Sequence, residues 1–181
     1  MLVIPLMEIA VQEAEALGFD PDGFRAFYED ALPGVYGYFL HRCGGAVPVA
    51  EDLTQETFLA SVSELKKGRR VDAPIPWIYG IARHKLLDHY RRQARIEPVV
   101  DTDAVIDEAA LDAAGEEARE RAVAALAAVP ASQRAALVLH YLDGFSAAEV
   151  AAELGKSVAA VNSLLERGRD GFKRAYREVS A

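Results

Sequence analysis

Apolar residues recur at steps of three and four along most of this chain, which is the spacing of one buried face of a helix. Residues 24–42 carry such a stripe of aromatic and aliphatic side chains, with a break expected at Pro33 and Gly34. A second stripe covers residues 49–65, and a third begins at Pro76, because proline is favoured in the first turn of a helix. No alternating strand pattern exceeds this helical signal.

Residues 97–114 are acidic and have no stable apolar face, so they are predicted to form a linker. Beyond it the pattern predicts further helices over residues 115–128, 131–142, 146–154 and 157–178. We therefore expect an all-α fold of two small helical domains joined by an acidic linker. The predicted order is an N-terminal extension (1–20), a first domain (21–96), the linker (97–114) and a second domain (115–181).

The second domain is predicted to end in a helix-turn-helix. Ser146 can cap the first helix of the pair, with Glu149 three residues later completing a capping box. Gly155 suits the left-handed turn that ends that helix, and Ser157 can cap the next one. The second helix gathers polar and basic residues on the face opposite its apolar stripe, as a helix that enters a major groove does. An ordinary helical hairpin is the competing interpretation of this pattern.

Charge is strongly segregated, although the 181-residue chain carries a net charge of −8 overall. Residues 61–96 have nine Lys or Arg against three acids, whereas residues 97–120 have nine acids against one base. Residues 155–181 are again basic, with six bases against three acids. A phosphate backbone responds to local charge, so the overall balance does not exclude nucleic-acid binding.

The order of these pieces resembles the extracytoplasmic-function sigma factors of bacterial RNA polymerase over residues 24–176. Residues 52–58 (DLTQETF) resemble the family's polymerase-binding helix, and residues 76–92 (PWIYGIARHKLLDHYRR) its helix for promoter melting and the minus-ten element. Residues 129–144 (VPASQRAALVLHYLDG), with the helix-turn-helix after them, resemble its second DNA-binding domain. The three motifs in this order are far more specific than any one alone.

The resemblance implies three sets of binding residues. Core polymerase would be bound by Asp52, Gln55 and Glu56, with Leu53 and Phe58 as apolar anchors. The minus-ten element would be bound by Lys66, Lys67, Arg69, Arg70, Trp77, Arg83, His84, Lys85, Arg91 and Arg92. The minus-thirty-five element would be bound by Ser157, Ala159, Asn162, Ser163, Glu166, Arg167 and Lys173.

Some residues depart from the family pattern. The family often has Asn where this chain has His84, and Arg where it has Gly80. Asn162 and Leu164 stand where Lys or Arg is frequent, so the nonspecific, salt-dependent share of DNA affinity should be smaller. In the family the linker enters a basic channel of the polymerase, and carboxylates could imitate a phosphate chain there.

Further expectations concern partners and place. The partners implied are core RNA polymerase, promoter DNA and an anti-sigma factor as regulator, with no cofactor and no metal. The single cysteine, Cys43, fits the reducing cytoplasm, and residues 1–18 lack the basic start and cleavage site of a signal peptide. They are also too short and charged to span a membrane, and a terminal helix is expected there.

Two other function classes fit the sequence less well. A hydrolase has little support, because His84 and His89 are five residues apart and no nucleotide-binding, zinc-protease or nucleophile-elbow motif occurs. A helix-turn-helix transcription regulator with a separate partner-binding domain shares the C-terminal motif. That alternative leaves the two N-terminal motifs unexplained.

Overall fold

A computed structural model describes residues 21–68, 71–96 and 115–179, and all regular structure among them is helical. The helices are α1 (Pro21–Arg42), α2 (Val47–Lys66), α3 (Pro74–Ile96), α4 (Glu116–Ala128), α5 (Ala131–Leu137), a π-helical turn (Val138–Leu142), α6 (Ala147–Leu154) and α7 (Val158–Val179). The predicted all-α fold is confirmed. The predicted N-terminal extension and acidic linker lie outside the described residues.

The chain divides into two compact units, and the division falls inside α3, between Leu86 and Leu87. The first unit therefore holds α1, α2 and the first half of α3. The second unit holds the end of α3 together with α4 to α7. The domain boundaries expected from the sequence, at residues 96 and 115, stay predictions.

The first unit has an aromatic core. Tyr28 and Phe39 of α1 are fully buried, as are Phe58 of α2 and Ile78 of α3. The rings of Tyr28 and Phe58 lie 4.4 Å apart between centroids. Such close aromatic contacts add to the stabilisation that burial of apolar area provides.

Helix α1 continues through Pro33, so the break expected at Pro33 and Gly34 is wrong. Both residues are exposed, and water can there satisfy the carbonyl group that a proline leaves unpaired. Gly34 also leaves space for a side chain of α3, because a Cβ atom at this position would collide with Tyr79 Oη.

Helix α2 buries hydroxyl groups as well as apolar side chains. Thr54 Oγ1 donates to the carbonyl oxygen of Ala50 at 2.6 Å, and Thr57 Oγ1 to that of Leu53 at 2.7 Å. Ser61 Oγ donates in the same way to the carbonyl oxygen of Phe58 at 2.7 Å. Each hydroxyl is thereby satisfied within its own helix, which removes most of the penalty for burying it.

The second unit contains the predicted helix-turn-helix, α6 and α7, and its local signals are confirmed. Ser146 and Glu149 form the capping box, with the Ser146 backbone N–H donating to Glu149 Oε2 at 2.8 Å. Gly155 ends α6 in the left-handed conformation at φ 64°. The Ser157 hydroxyl then caps α7 by accepting from the backbone N–H of Ala160 at 3.2 Å.

One predicted helix is divided. The sequence predicts a single helix over residues 131–142, but the α-helical hydrogen bonds end with α5 and the last five residues form a π-helical turn. The turn ends where the backbone N–H of Asp143 donates to the carbonyl oxygen of Val138 at 3.0 Å. Such turns inside helices frequently occur at functional sites.

Candidate functional site

The predicted polymerase-binding residues lie on α2, but they do not share one environment. Asp52 is exposed, and Gln55 and Glu56 are half-buried, so these three polar side chains can meet a partner. Leu53 and Phe58 are only 2% and 0% exposed. Both side chains fill the core of the first unit, and their role as apolar anchors for polymerase stays a prediction.

A different apolar side chain lies on the accessible side of α2. Leu59 is 38% exposed and follows Glu56 by three residues, which places the two side chains as neighbours on the helix surface. Asp52 precedes Glu56 by four residues and lies on the same side. Leu59 is not among the residues that the sequence predicts to bind polymerase, although its spacing from Asp52 and Glu56 makes it a candidate.

The predicted minus-ten residues of α3 also divide by environment. Arg83, His84 and Arg92 are exposed. Trp77 is half-buried, and its ring lies 6.5 Å from that of Phe27 in α1. Lys85 forms an ion pair with Glu56 of α2, with Nζ 3.1 Å from Oε2. The structure thus brings together one residue predicted to bind DNA and one predicted to bind polymerase.

The loop before α3 contributes further cationic side chains. Lys66 and Lys67 are exposed at the end of α2, and Lys67 Nζ lies 2.7 Å from Glu64 Oε1. Arg69 and Arg70 lie outside the described residues.

Arg91 makes all its described contacts within the second unit. Its Nε donates to the carbonyl oxygen of Glu153 at 3.1 Å, its Nη2 contacts the carboxylate of Glu153, and its Nη1 lies 2.8 Å from Asp88 Oδ1. Burial opposes the charge of this guanidinium, but bonds and charge from Asp88 and Glu153 outweigh that effect and raise its pKa. Its predicted contact with DNA would compete with these two acids.

Helix α7 presents the predicted minus-thirty-five residues with graded exposure. Ser157, Ala159 and Asn162 are exposed at its beginning. The half-buried members are Ser163, Glu166, Arg167 and Lys173. Arg167 Nε donates to the carbonyl oxygen of Ser163 at 3.2 Å, so its guanidinium is held close to the helix.

Leu164 does not belong to that polar surface. It is 2% exposed and packs in the core of the second unit, as do Val161 and Leu165. At this position the family often has Lys or Arg, whereas in this chain the Leu164 side chain packs in the core. Asn162 remains at the surface with no charge.

A further cation, Arg169, lies beside the predicted recognition surface. Arg169 follows Asn162 by seven residues, which is about two helical turns, so the two share a face of α7. Its Nη1 donates to Tyr141 Oη in the π-helical turn at 3.0 Å. Arg169 is not among the residues that the sequence predicts to bind the minus-thirty-five element, although its seven-residue spacing from Asn162 can be read from the sequence.

Two further findings concern metal-binding clusters and membrane-spanning helices in the part of the chain that the structure describes. That part contains no cluster of three or more His, Cys, Asp or Glu side chains arranged to hold a metal ion. It also contains no helix with both the length and the apolar character needed to cross a membrane.

Comparison with known families accounts for both halves of the chain. Residues 27–96 match the model of sigma-70 region 2, and residues 119–170 match that of sigma-70 region 4. The ECF RNA polymerase sigma factor SigF of Caulobacter vibrioides is 35% identical over 162 residues, which cover 87% of this chain and 90% of SigF. The chain belongs to the extracytoplasmic-function (ECF) family of RNA polymerase sigma factors.

Other ECF relatives are similar over much of their length. BldN of Streptomyces coelicolor is 30% identical over 90% of this chain, which spans 62% of BldN. SigC of Mycobacterium tuberculosis is 34% identical over 68% of each chain. The solved structures include a complex of the sigma factor RpoE with the anti-sigma factor NepR from Bartonella quintana. The matched chain of that complex aligns with 86% of this chain and over 97% of its own length, at 21% sequence identity and a TM-score of 0.47.

Proposed function

We propose that this ECF sigma factor uses three helices for binding: α2 for core polymerase, α3 for the minus-ten element and α7 for the minus-thirty-five element. As a sigma factor it binds core RNA polymerase, recognises promoter DNA and initiates transcription, and its family consists of transcription initiation factors rather than enzymes. The observation that carries the residue-level proposal is the separation of charge on the accessible surface. Acids line the exposed side of α2, and exposed cations lie on α3.

The polymerase contact is assigned to Asp52, Gln55, Glu56 and Leu59. Acidic side chains at the surface suit a basic partner, and complementary charge accelerates association and selects among partners. Leu59 supplies an exposed apolar contact on this side of α2, whereas Leu53 and Phe58 lie in the core. A desolvated apolar anchor among polar contacts is the usual arrangement in an interface.

The minus-ten contact is assigned to Arg83, His84 and Arg92, with Lys66 and Lys67 before α3. Exposed guanidinium groups bind phosphates and stack on unpaired bases. His84 replaces the amide that the family often carries, so we expect a different base preference at the position it contacts. A neutral imidazole offers one donor and one acceptor, as an amide does, but in a different geometry.

The minus-thirty-five contact is assigned to Ser157, Ala159 and Asn162 at the start of α7, with Arg169 and Lys173 further along. Small and polar side chains at the start of a recognition helix can approach base edges. Cations two to three turns later are placed for the phosphate backbone.

The protein is proposed to act in the cytoplasm under the control of an anti-sigma factor. Both parts of this proposal follow from the family and not from a contact in the described residues. A helix-turn-helix regulator that works without polymerase remains the alternative, but it does not account for the match of residues 27–96 to region 2.

Reconstituted transcription tests the proposal. Purified full-length protein with bacterial core polymerase is expected to produce discrete run-off transcripts from a subset of genomic fragments. A double variant, Asp52→Asn with Glu56→Gln, should fail to form holoenzyme while keeping its fold. If the wild-type protein neither binds core nor starts any transcript, or binds its promoter equally well without core, the proposed function is wrong.

A further inference from the structure

The ion pair between Lys85 and Glu56 links two helices that the proposed function assigns to different partners. Lys85 belongs to the basic stretch of α3, and Glu56 lies on the side of α2 that the proposed function assigns to polymerase binding. The two charged atoms are 3.1 Å apart, and the side chains are 29% and 42% exposed. The pair is therefore accessible to a partner at this surface.

Lys85 differs from its neighbours on α3. Arg83 and His84 are exposed, whereas Lys85 is half-buried and follows Ile81, also half-buried, by one helical turn. One turn earlier lies Trp77, whose ring packs near Phe27 of α1. Lys85 therefore lies on the same side of α3 as Trp77 and Ile81, which is the side that packs within the first unit. From this side its ammonium group contacts Glu56 of α2.

Glu56 has a long side chain with several rotatable bonds, and the proposed function assigns it to polymerase binding. Binding orders such a side chain, and this ordering costs conformational entropy. An ammonium group that already holds Oε2 reduces the number of rotamers before the partner arrives. The other carboxylate oxygen, Oε1, can still accept hydrogen bonds, because a carboxylate has acceptor sites on both oxygens.

We propose that Lys85 is a positioning residue for Glu56 in polymerase binding and makes no contact with minus-ten DNA. This inference rests on the proposed function, since it names a further residue of the same polymerase-binding surface. The pair contributes little to folding, because exposed ion pairs stabilise proteins only weakly. Its effect should appear in the affinity for core polymerase.

A double-mutant cycle in the full-length protein tests this coupling. Dissociation constants for core polymerase are measured for wild type, Lys85→Met, Glu56→Gln and the double variant. We expect Lys85→Met to weaken binding about two- to tenfold, the cost of ordering one side chain, and to have no further effect when Glu56 is already changed. Lys85→Arg should restore most of the affinity.

A matched control removes an exposed ion pair elsewhere. Arg119 Nη1 lies 3.2 Å from Glu116 Oε2 on α4, outside the proposed binding surfaces. Arg119→Met should leave the affinity for core unchanged. Thermal unfolding of every variant should match wild type, which separates an effect on binding from an effect on folding.

Promoter binding by preformed holoenzyme tests whether Lys85 contacts DNA instead. At saturating core polymerase, Lys85→Met should keep the wild-type affinity for promoter DNA and its dependence on salt. Arg83→Gln is the reference for a phosphate contact and should reduce the salt slope by about 1. The inference is overturned if Lys85→Met behaves like Arg83→Gln, or if it changes neither core binding nor its coupling to Glu56. Failure of the wild-type protein to bind core would instead reject the proposed function.

Discussion

Tyr141 Oη accepts a hydrogen bond from Arg169 Nη1 at 3.0 Å, and this bond joins the π-helical turn to α7. Both side chains are half-buried. The phenol thereby limits the positions that the guanidinium can take at the edge of the proposed recognition surface. A cation held in this way is ready to meet a phosphate with little further loss of conformational entropy.

Arg169→Gln is expected to weaken promoter binding by holoenzyme and to lower its salt slope by about 1, as the loss of one phosphate contact does. Tyr141→Phe keeps the ring and removes only the hydroxyl, so its effect should be smaller, about two- to tenfold in affinity. Titration of a fluorescent promoter fragment at several salt concentrations measures both effects. An unchanged salt slope for Arg169→Gln would remove this residue from the DNA contacts.

The capping box of α6 should contribute measurably to stability. Ser146→Ala removes the side chain that accepts from the backbone N–H of Glu149, and the free energy of unfolding should fall by about 1 kcal/mol. Glu149→Gln is the matched control, because Gln can also fill this position of a capping box. Urea denaturation of the full-length variants measures the difference. Equal midpoints for Ser146→Ala and wild type would contradict this expectation.

Two glycines in helices should respond in opposite ways to a larger side chain. A Cβ atom at Gly168 would lie 3.1 Å from Leu137 Cγ, so Gly168→Leu should cost about 1–3 kcal/mol of stability by overpacking α5 against α7. A Cβ atom at Gly80 would meet nothing within 4 Å, and Gly80→Ala should add up to about 1 kcal/mol through helix propensity. Thermal unfolding of the two variants checks the signs, and destabilisation by Gly80→Ala would show that this site is not open.

Tyr28 should make the first unit sensitive to high pH. Its side chain is buried, its hydroxyl has no hydrogen-bond partner among the described residues, and burial raises its pKa above the ordinary value. As the pH rises past about 10, the unfolded chain releases this proton while the folded chain retains it, so folding stability falls.

Tyr28→Phe removes this proton and also the unpaired hydroxyl. At neutral pH the variant should be as stable as wild type or more so, because no hydrogen bond is lost. Above pH 10 its advantage over wild type should grow, as measured by urea denaturation at pH 7 and pH 11. A constant difference at the two pH values would show that Tyr28 ionises as easily in the folded state as in the unfolded chain.

Local signals in the sequence predicted much of the helix-turn-helix correctly. Ser146, Glu149, Gly155 and Ser157 act through hydrogen bonds and backbone angles that involve residues at most four positions away. Val150 and Leu154, which are four residues apart in α6, are both buried, as the helical spacing of apolar residues predicts. The break expected at Pro33 was wrong, because tertiary packing of α1 outweighs the cost of one missing hydrogen bond at an exposed position.

The all-helical fold, the family and the charged segments available for binding could be predicted from the sequence, since periodicity, caps and motifs are local properties of the chain. Which members of a motif reach the surface depends on how the helices pack. Leu53 and Phe58 lie in the motif predicted to bind polymerase yet fill the core, while Lys85, from a basic stretch of α3, pairs with Glu56. Burial and ion pairing depend on which faces of separate helices meet, and the spacing within one helix does not specify that.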